Sequence, residues 1–283
     1  MRQLLRQYPA QRDDIADLVT RRPLPGPGLP QVDPFLFLNH HGPQTYRPGN
    51  TGLPFGPHPH RGFETVSFIL EGEMAHLDSG GHESVIRAGG VQWMTAGSGL
   101  IHAEISPASF KRDGGPLEIL QLWVNLPGRL KMTKPAYTGL QREDIPAIPV
   151  EGGVVNLISG AFGETQGPIE SLTGVAMMTV TLEAGGHVDL PAPAGRAVFF
   201  YVVAGSPSAN GTPVKPHHLA TFAMDGDIAV TTQAPATILY GHADPIGEPV
   251  VSHGPFVMTT REEIVRAIED YNAGLFGTPP VIR

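Results

Sequence analysis

The sequence predicts an all-β chain of two barrel-like domains closed by one C-terminal helix, and three observations carry that prediction. Short apolar runs recur from Asp33 onward. Turn-rich stretches such as DSGGHE (78–83), RAGG (87–90) and AGSG (96–99) separate them, and the 35 glycines and 29 prolines follow no fixed period. Strands this short, with turns this frequent, belong to sandwiches and barrels. A helical pattern emerges only near the end. There Thr260-Arg-Glu-Glu263 reads as a capping box, Ile264, Ile268, Tyr271 and Leu275 follow at helical spacing, and Gly274 marks the stop.

Taken in order, residues 1–30 read as peripheral. Asp13 to Thr20 could form a short helix, which LPGPGLP (24–30) must break. The strand-like runs of the first half are PFLFL, ETVSFIL, MAHL, SVIRA, VQWMT, IHAEI and LEILQLWVNL. Residues 127–149 are rich in proline and polar groups and read as a connection, which gives an N-terminal domain over 1–135 and a C-terminal domain over 136–283. Strand-like runs resume with VVNLIS, GVAMMTVTL, AVFFYVV, HLATFAM, IAVTT and TILYG. The halves also read as diverged repeats. Aligning Gly72 of ILEGE with Gly205 of VVAGS places His58 on Pro191 and His60 on Pro193.

Composition narrows the function. A length of 283 residues suits two domains, and 41% hydrophobic residues supply a packed core. A net charge of −8 argues against a dominant nucleic-acid surface. No cysteine occurs, which excludes disulfides, thiolate metal sites and cysteine nucleophiles, so any metal must sit on histidine, carboxylate or carbonyl groups. The N-terminus lacks an apolar signal core and no run reaches 18 apolar residues, so a cytoplasmic protein without a membrane span is the simplest reading.

The chemistry concentrates in two segments. In GPHPHRGFETVSFILEG (56–72), His58 and His60 stand one residue apart, and a strand aims both imidazoles to one face. In AGSGLIHAEI (96–105), His102 and Glu104 share a face in the same way. Two such pairs on facing strands set three imidazoles and one carboxylate about a common point. That donor set suits iron, manganese, cobalt, nickel, copper or zinc. A six-coordinate ion would keep two positions for water, substrate or oxygen, whereas a closed tetrahedral zinc would be structural. Glu64, four residues after His60, reads as a group standing behind the ligands. His40, His41, His76, His82, His217 and His218 lack a partner at ligand spacing and read as solvated or hydrogen-bonded imidazoles. His242-Ala-Asp244 mimics His102-Ala-Glu104 without a preceding HxH, and reads as a loop.

HPHRGFETVSFILEG (58–72), MAHLDSGG (74–81), VQWMTAGSGLIHAE (91–104), LQLWVNLP (120–127) and PIGEPVVSHGPFVMTTREEIVRAI (245–268) together resemble the pirins of the cupin superfamily. The resemblance covers most of the chain from Asp33; the 1–30 segment and Asn39-His40-His41-Gly42 depart from it. It implies a bicupin, two jelly-roll barrels with metal in the N-terminal one alone. It also implies His58, His60, His102 and Glu104 as ligands and iron, as Fe(II), as the metal. Several pirins open flavonols such as quercetin with O2 and release carbon monoxide, so the expected partners are a flavonol-like aromatic and O2, with Glu104 as the base. Others act as transcriptional or metabolic regulators, which makes a metal-gated protein partner the alternative. A monomer is the default expectation.

Overall fold

The computed structural model describes residues 1–282. Every apolar run named above forms a strand, and among the described residues the α-helices are Ala108–Asp113 and Arg261–Asn272. Among the described residues no helix is long and apolar enough to cross a membrane. The chain forms two compact units, one of residues 13–20, 38–142 and 246–283, the other of 1–12, 21–37 and 143–245.

These units cut across the boundary expected at 135/136, for two physical reasons. The supposed connection contains a strand, Ala136–Leu140, that pairs antiparallel with Val91–Thr95 from Ala136↔Thr95 to Leu140↔Val91. The chain therefore completes the first barrel's edge before it leaves. The C-terminal helix, in turn, buries Ile264 and Ala267 against Ile101, Phe256, Met258 and Phe276 of the first unit.

The N-terminus is not peripheral either. Leu4–Pro9 pairs antiparallel with His218–Phe222. The buried guanidinium of Arg2 donates to the carbonyl oxygens of Ala192, Pro193, Arg196, Ala223 and Gly226. No helix forms over Asp13–Thr20. The segment turns back on itself through an Ile15↔Leu18 bridge, and the Asp14 carboxylate accepts from Thr20 N. Aspartate competing for a nearby backbone N–H favours such a turn over a helix.

The unit holding the histidine pairs carries a two-stranded sheet, Val251–His253 with Phe256–Met258, and two large antiparallel sheets. One has four strands in the order Phe55–His60, Leu100–Ile105, Glu73–Asp78, Glu83–Arg87. In the other, Ala136–Leu140, Val91–Thr95, Phe63–Glu71, Gly115–Asn125 and Phe35–Tyr46 lie side by side. Met74 and Ile86 of the first sheet pack with Ile69, Leu117 and Ile119 of the second, closing the apolar end of the barrel. Alternation then fixes what faces inward elsewhere. Gln121, Ser67 and Gln92 are direct cross-strand partners and form one polar row.

The other unit is built on a nine-stranded antiparallel sheet whose interior is almost wholly apolar, including Val180, Leu190, Phe200, Val202, Val230 and Ile238. Pro191 and Pro193 follow the end of strand Ala176–Leu190 and supply no ligand. His242 lies within strand Ala236–Ala243, not in a loop, and is buried.

The C-terminal helix starts as expected, with reciprocal hydrogen bonds between Thr260 and Glu263. Its last residue is followed by Ala273 and then Gly274 at φ +78°. A second glycine governs how the tail meets the barrel. Gly62 has φ +88°, and a Cβ there would lie 2.0 Å from the carbonyl oxygen of Val257. Gly62→Ala is accordingly expected to cost about 3 kcal/mol, read as a lowered midpoint in urea unfolding.

Candidate metal centre

His58 and His60 end one strand and His102 lies in its neighbour, in register with His58. The register shifts between His102 and Glu104, where the His58 strand takes up an irregularity around Gly56. The three rings converge, with centroids 4.8 Å (His58–His60), 4.4 Å (His58–His102) and 5.0 Å (His60–His102) apart. One ligand atom from each lies within 4.8 Å of the others, the one such group of histidine and carboxylate side chains among the described residues.

Hydrogen bonds settle which nitrogen two of the rings offer. His58 Nδ1 donates to Gly56 O at 2.7 Å and His60 Nδ1 to Pro255 O at 3.2 Å. A carbonyl only accepts, so Nδ1 carries the proton in both rings and Nε2 keeps its lone pair. His102 is fully buried and neither of its ring nitrogens has a partner. A buried imidazole with two unanswered nitrogens is costly in a folded protein. A metal ion would answer one of them, so these residues fit the ion that the donor chemistry implies.

Burial acts on the charges in the same direction. It lowers the His60 pKa to about 3, with His58 adding repulsion and the bond to Pro255 opposing. His102 falls well below its ordinary value, through burial first and then the neighbouring His60, His58 and His76. His58 is lowered by burial against the opposing pull of Gly56. Phe63 and Trp123 sit against the His60 ring at 5.0 and 5.3 Å and help to keep water away. The histidines are thus neutral, the form that binds metal.

Glu104 shares the face of His102, and its carboxylate is engaged by the polar row of the opposite sheet. Ser67 Oγ donates at 3.0 Å, and the side-chain amides of Gln92 and Gln121 donate as well. Three donors leave about one of four acceptor sites open on the carboxylate. Burial raises the Glu104 pKa to about 7, while the Ser67, Gln121 and Gln92 donors pull it down.

Glu64 does not stand behind the ligands. The chain passes through Gly62 into the opposite sheet, where Glu64 alternates to the face away from Ser67, directly across from Thr95. It accepts from Thr95 Oγ1 at 2.7 Å instead. His40 and His41 are hydrogen-bonded imidazoles, to Glu118 and Thr20 respectively.

Two groups escape a reading for ligand spacing alone. His76 is buried, stacked on Tyr137 at 4.0 Å, with its ring 5.5 Å from that of His102. Asp78 binds it at 3.0 Å and also engages His82. The one-residue separation of His76 and Asp78 repeats the pattern of the two ligand pairs and was the available signal. The Ser67–Gln92–Gln121 row had a fainter one, a polar residue between two apolar neighbours in each of three strands.

Three imidazoles gathered inside an antiparallel β-barrel form a group that could hold a metal ion, Glu104 lying outside that three-histidine group, and the chain as a whole is a bicupin. Comparison with known proteins agrees. The family model described as pirin matches residues 17–124, and that of the pirin C-terminal cupin domain matches residues 177–277. Human pirin is 38% identical over 258 residues, 89% of this chain and 85% of its own length. A Pseudomonas aeruginosa protein named, as a provisional assignment, quercetin 2,3-dioxygenase is 39% identical over 250 residues, 87% of each chain. The crystal structure of a quercetin 2,3-dioxygenase from Acinetobacter baumannii superposes with a TM-score of 0.93 at 33% identity, covering 98% of this chain and 99% of that one. The chain belongs to the pirin family.

Proposed function

We propose that this protein is a metal-dependent dioxygenase that opens flavonols such as quercetin with O2, using iron(II) held by His58, His60, His102 and Glu104. The observation that carries this reading is the convergence of three neutral imidazoles, one of them with both nitrogens unanswered; Glu104 lies outside that three-histidine group and enters here as the proposed fourth ligand. The relatives named as quercetin dioxygenases supply the substrate class. When bound, iron supplies Lewis-acid stabilisation of a deprotonated substrate hydroxyl and the redox chemistry of oxygen.

The chain's own residues do the rest. Glu104, the one carboxylate in the proposed ligand set, accepts the proton of the flavonol hydroxyl. Ser67, Gln92 and Gln121 hold its carboxylate in place during that transfer. Phe63 and Trp123 form an apolar wall beside His60. Overall, both atoms of O2 enter the products and one ring carbon leaves as carbon monoxide, so no external reductant is consumed.

The test is oxygen uptake by iron(II)-reconstituted protein given quercetin, with carbon monoxide measured in the headspace. The reading predicts equal uptake and release, both lost in His60→Ala. Iron-loaded protein that consumes no oxygen would overturn it and leave the metal-gated interaction module as the better account.

A further inference from the structure

We propose that the C-terminal segment is part of the metal centre, because its docking fixes the orientation of His60 and so ties metal affinity to the attachment of residues 254–277. The inference rests on the metal-site reading above and adds a regulatory dependence to it.

The two histidines of the HxH pair are oriented in different ways. His58 takes its acceptor from Gly56, two residues back on its own strand. His60 takes its acceptor from Pro255, 195 residues away. The acceptor behind a ligating imidazole fixes its tautomer and its direction, and losing such a partner typically weakens metal binding about 10- to 100-fold. One of the three imidazoles is therefore aimed by a segment that comes from the far end of the chain.

That segment is fastened at points next to His60. Arg61 and Phe256 form a parallel bridge, and Val257 N donates to Arg61 O at 3.1 Å. The Arg61 guanidinium donates to Ser98 O and to the Asp270 carboxylate, each at 2.7 Å, and lies 4.5 Å over the Phe276 ring. The buried ammonium of Lys131 donates to Gly62 O, Asn125 Oδ1 and Val257 O at 2.9, 2.7 and 3.0 Å. One cation thus joins the turn after the ligand strand, the barrel wall and the tail. Ser79 Oγ donates to Phe276 O at 2.6 Å and closes the far end. Ile101, the neighbour of His102, packs in the apolar cluster of the tail.

Asp270 and Lys131 touch neither the ligand atoms nor a substrate; they are positioning residues acting through the tail. Because the coupling is an equilibrium one, it must run both ways, so metal binding should tighten the tail.

The test measures metal affinity by competition with a chromophoric chelator, using iron(II) under anaerobic conditions and nickel(II) as a redox-inert probe. Asp270→Asn keeps the side chain's size at a partly exposed position, and Lys131→Met probes the second fastening. Each is expected to bind one ion per chain, as the parent does, but about tenfold more weakly. Asp113→Asn, in an exposed ion pair with Arg112, is the control and should bind as the parent. Hydrogen exchange of the parent protein should slow over residues 254–277 when metal is added. Variants that lose thermal stability with unchanged metal affinity would reduce the fastenings to a structural role and overturn the inference, as would exchange over 254–277 that ignores metal. A parent protein that takes up no metal would overturn the metal site itself, an outcome separate from these.

Discussion

Replacing His102 by alanine is expected to reduce metal affinity on the order of 100-fold or more while leaving the apo-protein as stable as the parent or more so. The first half follows from removing one of three convergent ligands. The second half is less obvious. A buried side chain cut to alanine ordinarily costs stability through the cavity it leaves. Here the imidazole carries two ring nitrogens that are desolvated and unpartnered, so the truncation also removes a standing penalty of roughly 1–3 kcal/mol. Metal analysis after gel filtration reads the first effect, and thermal unfolding of the metal-free proteins reads the second. His76→Ala provides the contrast. His76 is bound to a buried Asp78, so its loss strips a carboxylate of a partner and should destabilise the apo-protein.

Changing Glu104 to glutamine is expected to abolish the pH dependence of metal binding between about 6 and 8, and to depress turnover. Burial holds the carboxyl pKa at about 7, whereas His60 lies at about 3 and His102 well below its ordinary value. In that range an incoming cation displaces one proton, and it comes from Glu104. Affinity of the parent should rise about tenfold per pH unit below 7 and flatten above it, since protons compete only below the pKa. In Glu104→Gln the profile should be flat, and binding at high pH about 100-fold weaker for want of a charged ligand.

The sign for folding is opposite. The folded-state pKa of Glu104 is raised above the ordinary value of 4.5, so the metal-free parent loses stability as pH rises from 4.5 toward 7. The glutamine variant should lack that loss. The substitution is also tolerable sterically, because the side-chain amides of Gln92 and Gln121 can turn to suit a neutral partner. If metal saturates the variant, loss of the base should still depress turnover on the order of 100-fold or more. Isothermal titration across pH, run beside oxygen uptake, separates the two roles.

The two side-chain pairs of the candidate site were legible in the sequence because the property that brings each pair together is local. Alternation along a strand puts His58 with His60, and His102 with Glu104, whatever the rest of the chain does. The same rule made the strands legible and the helix start at Thr260, where the capping bonds span only a few residues. What the sequence hid depends on pairing at a distance. Ser67, Gln92 and Gln121 form a row only once three strands take their register. Glu64 kept the right spacing from His60 and still faces elsewhere, because Gly62 turns the chain into a different sheet between them. Ala136–Leu140 is half polar and Pro-flanked, and its strand character comes from the edge it completes. The docking of the tail beside His60 links residues nearly 200 positions apart, and nothing local in HGPF (253–256) announces a carbonyl that orients a ligand.

The most direct test of the account is X-ray absorption spectroscopy on the iron(II)-loaded protein, with the metal content counted on the same sample. The account predicts one ion per chain, with a first shell showing the multiple scattering of three imidazoles together with lighter oxygen donors at similar distance. A shell without imidazole scattering, or a loaded spectrum unchanged in His102→Ala, would contradict it.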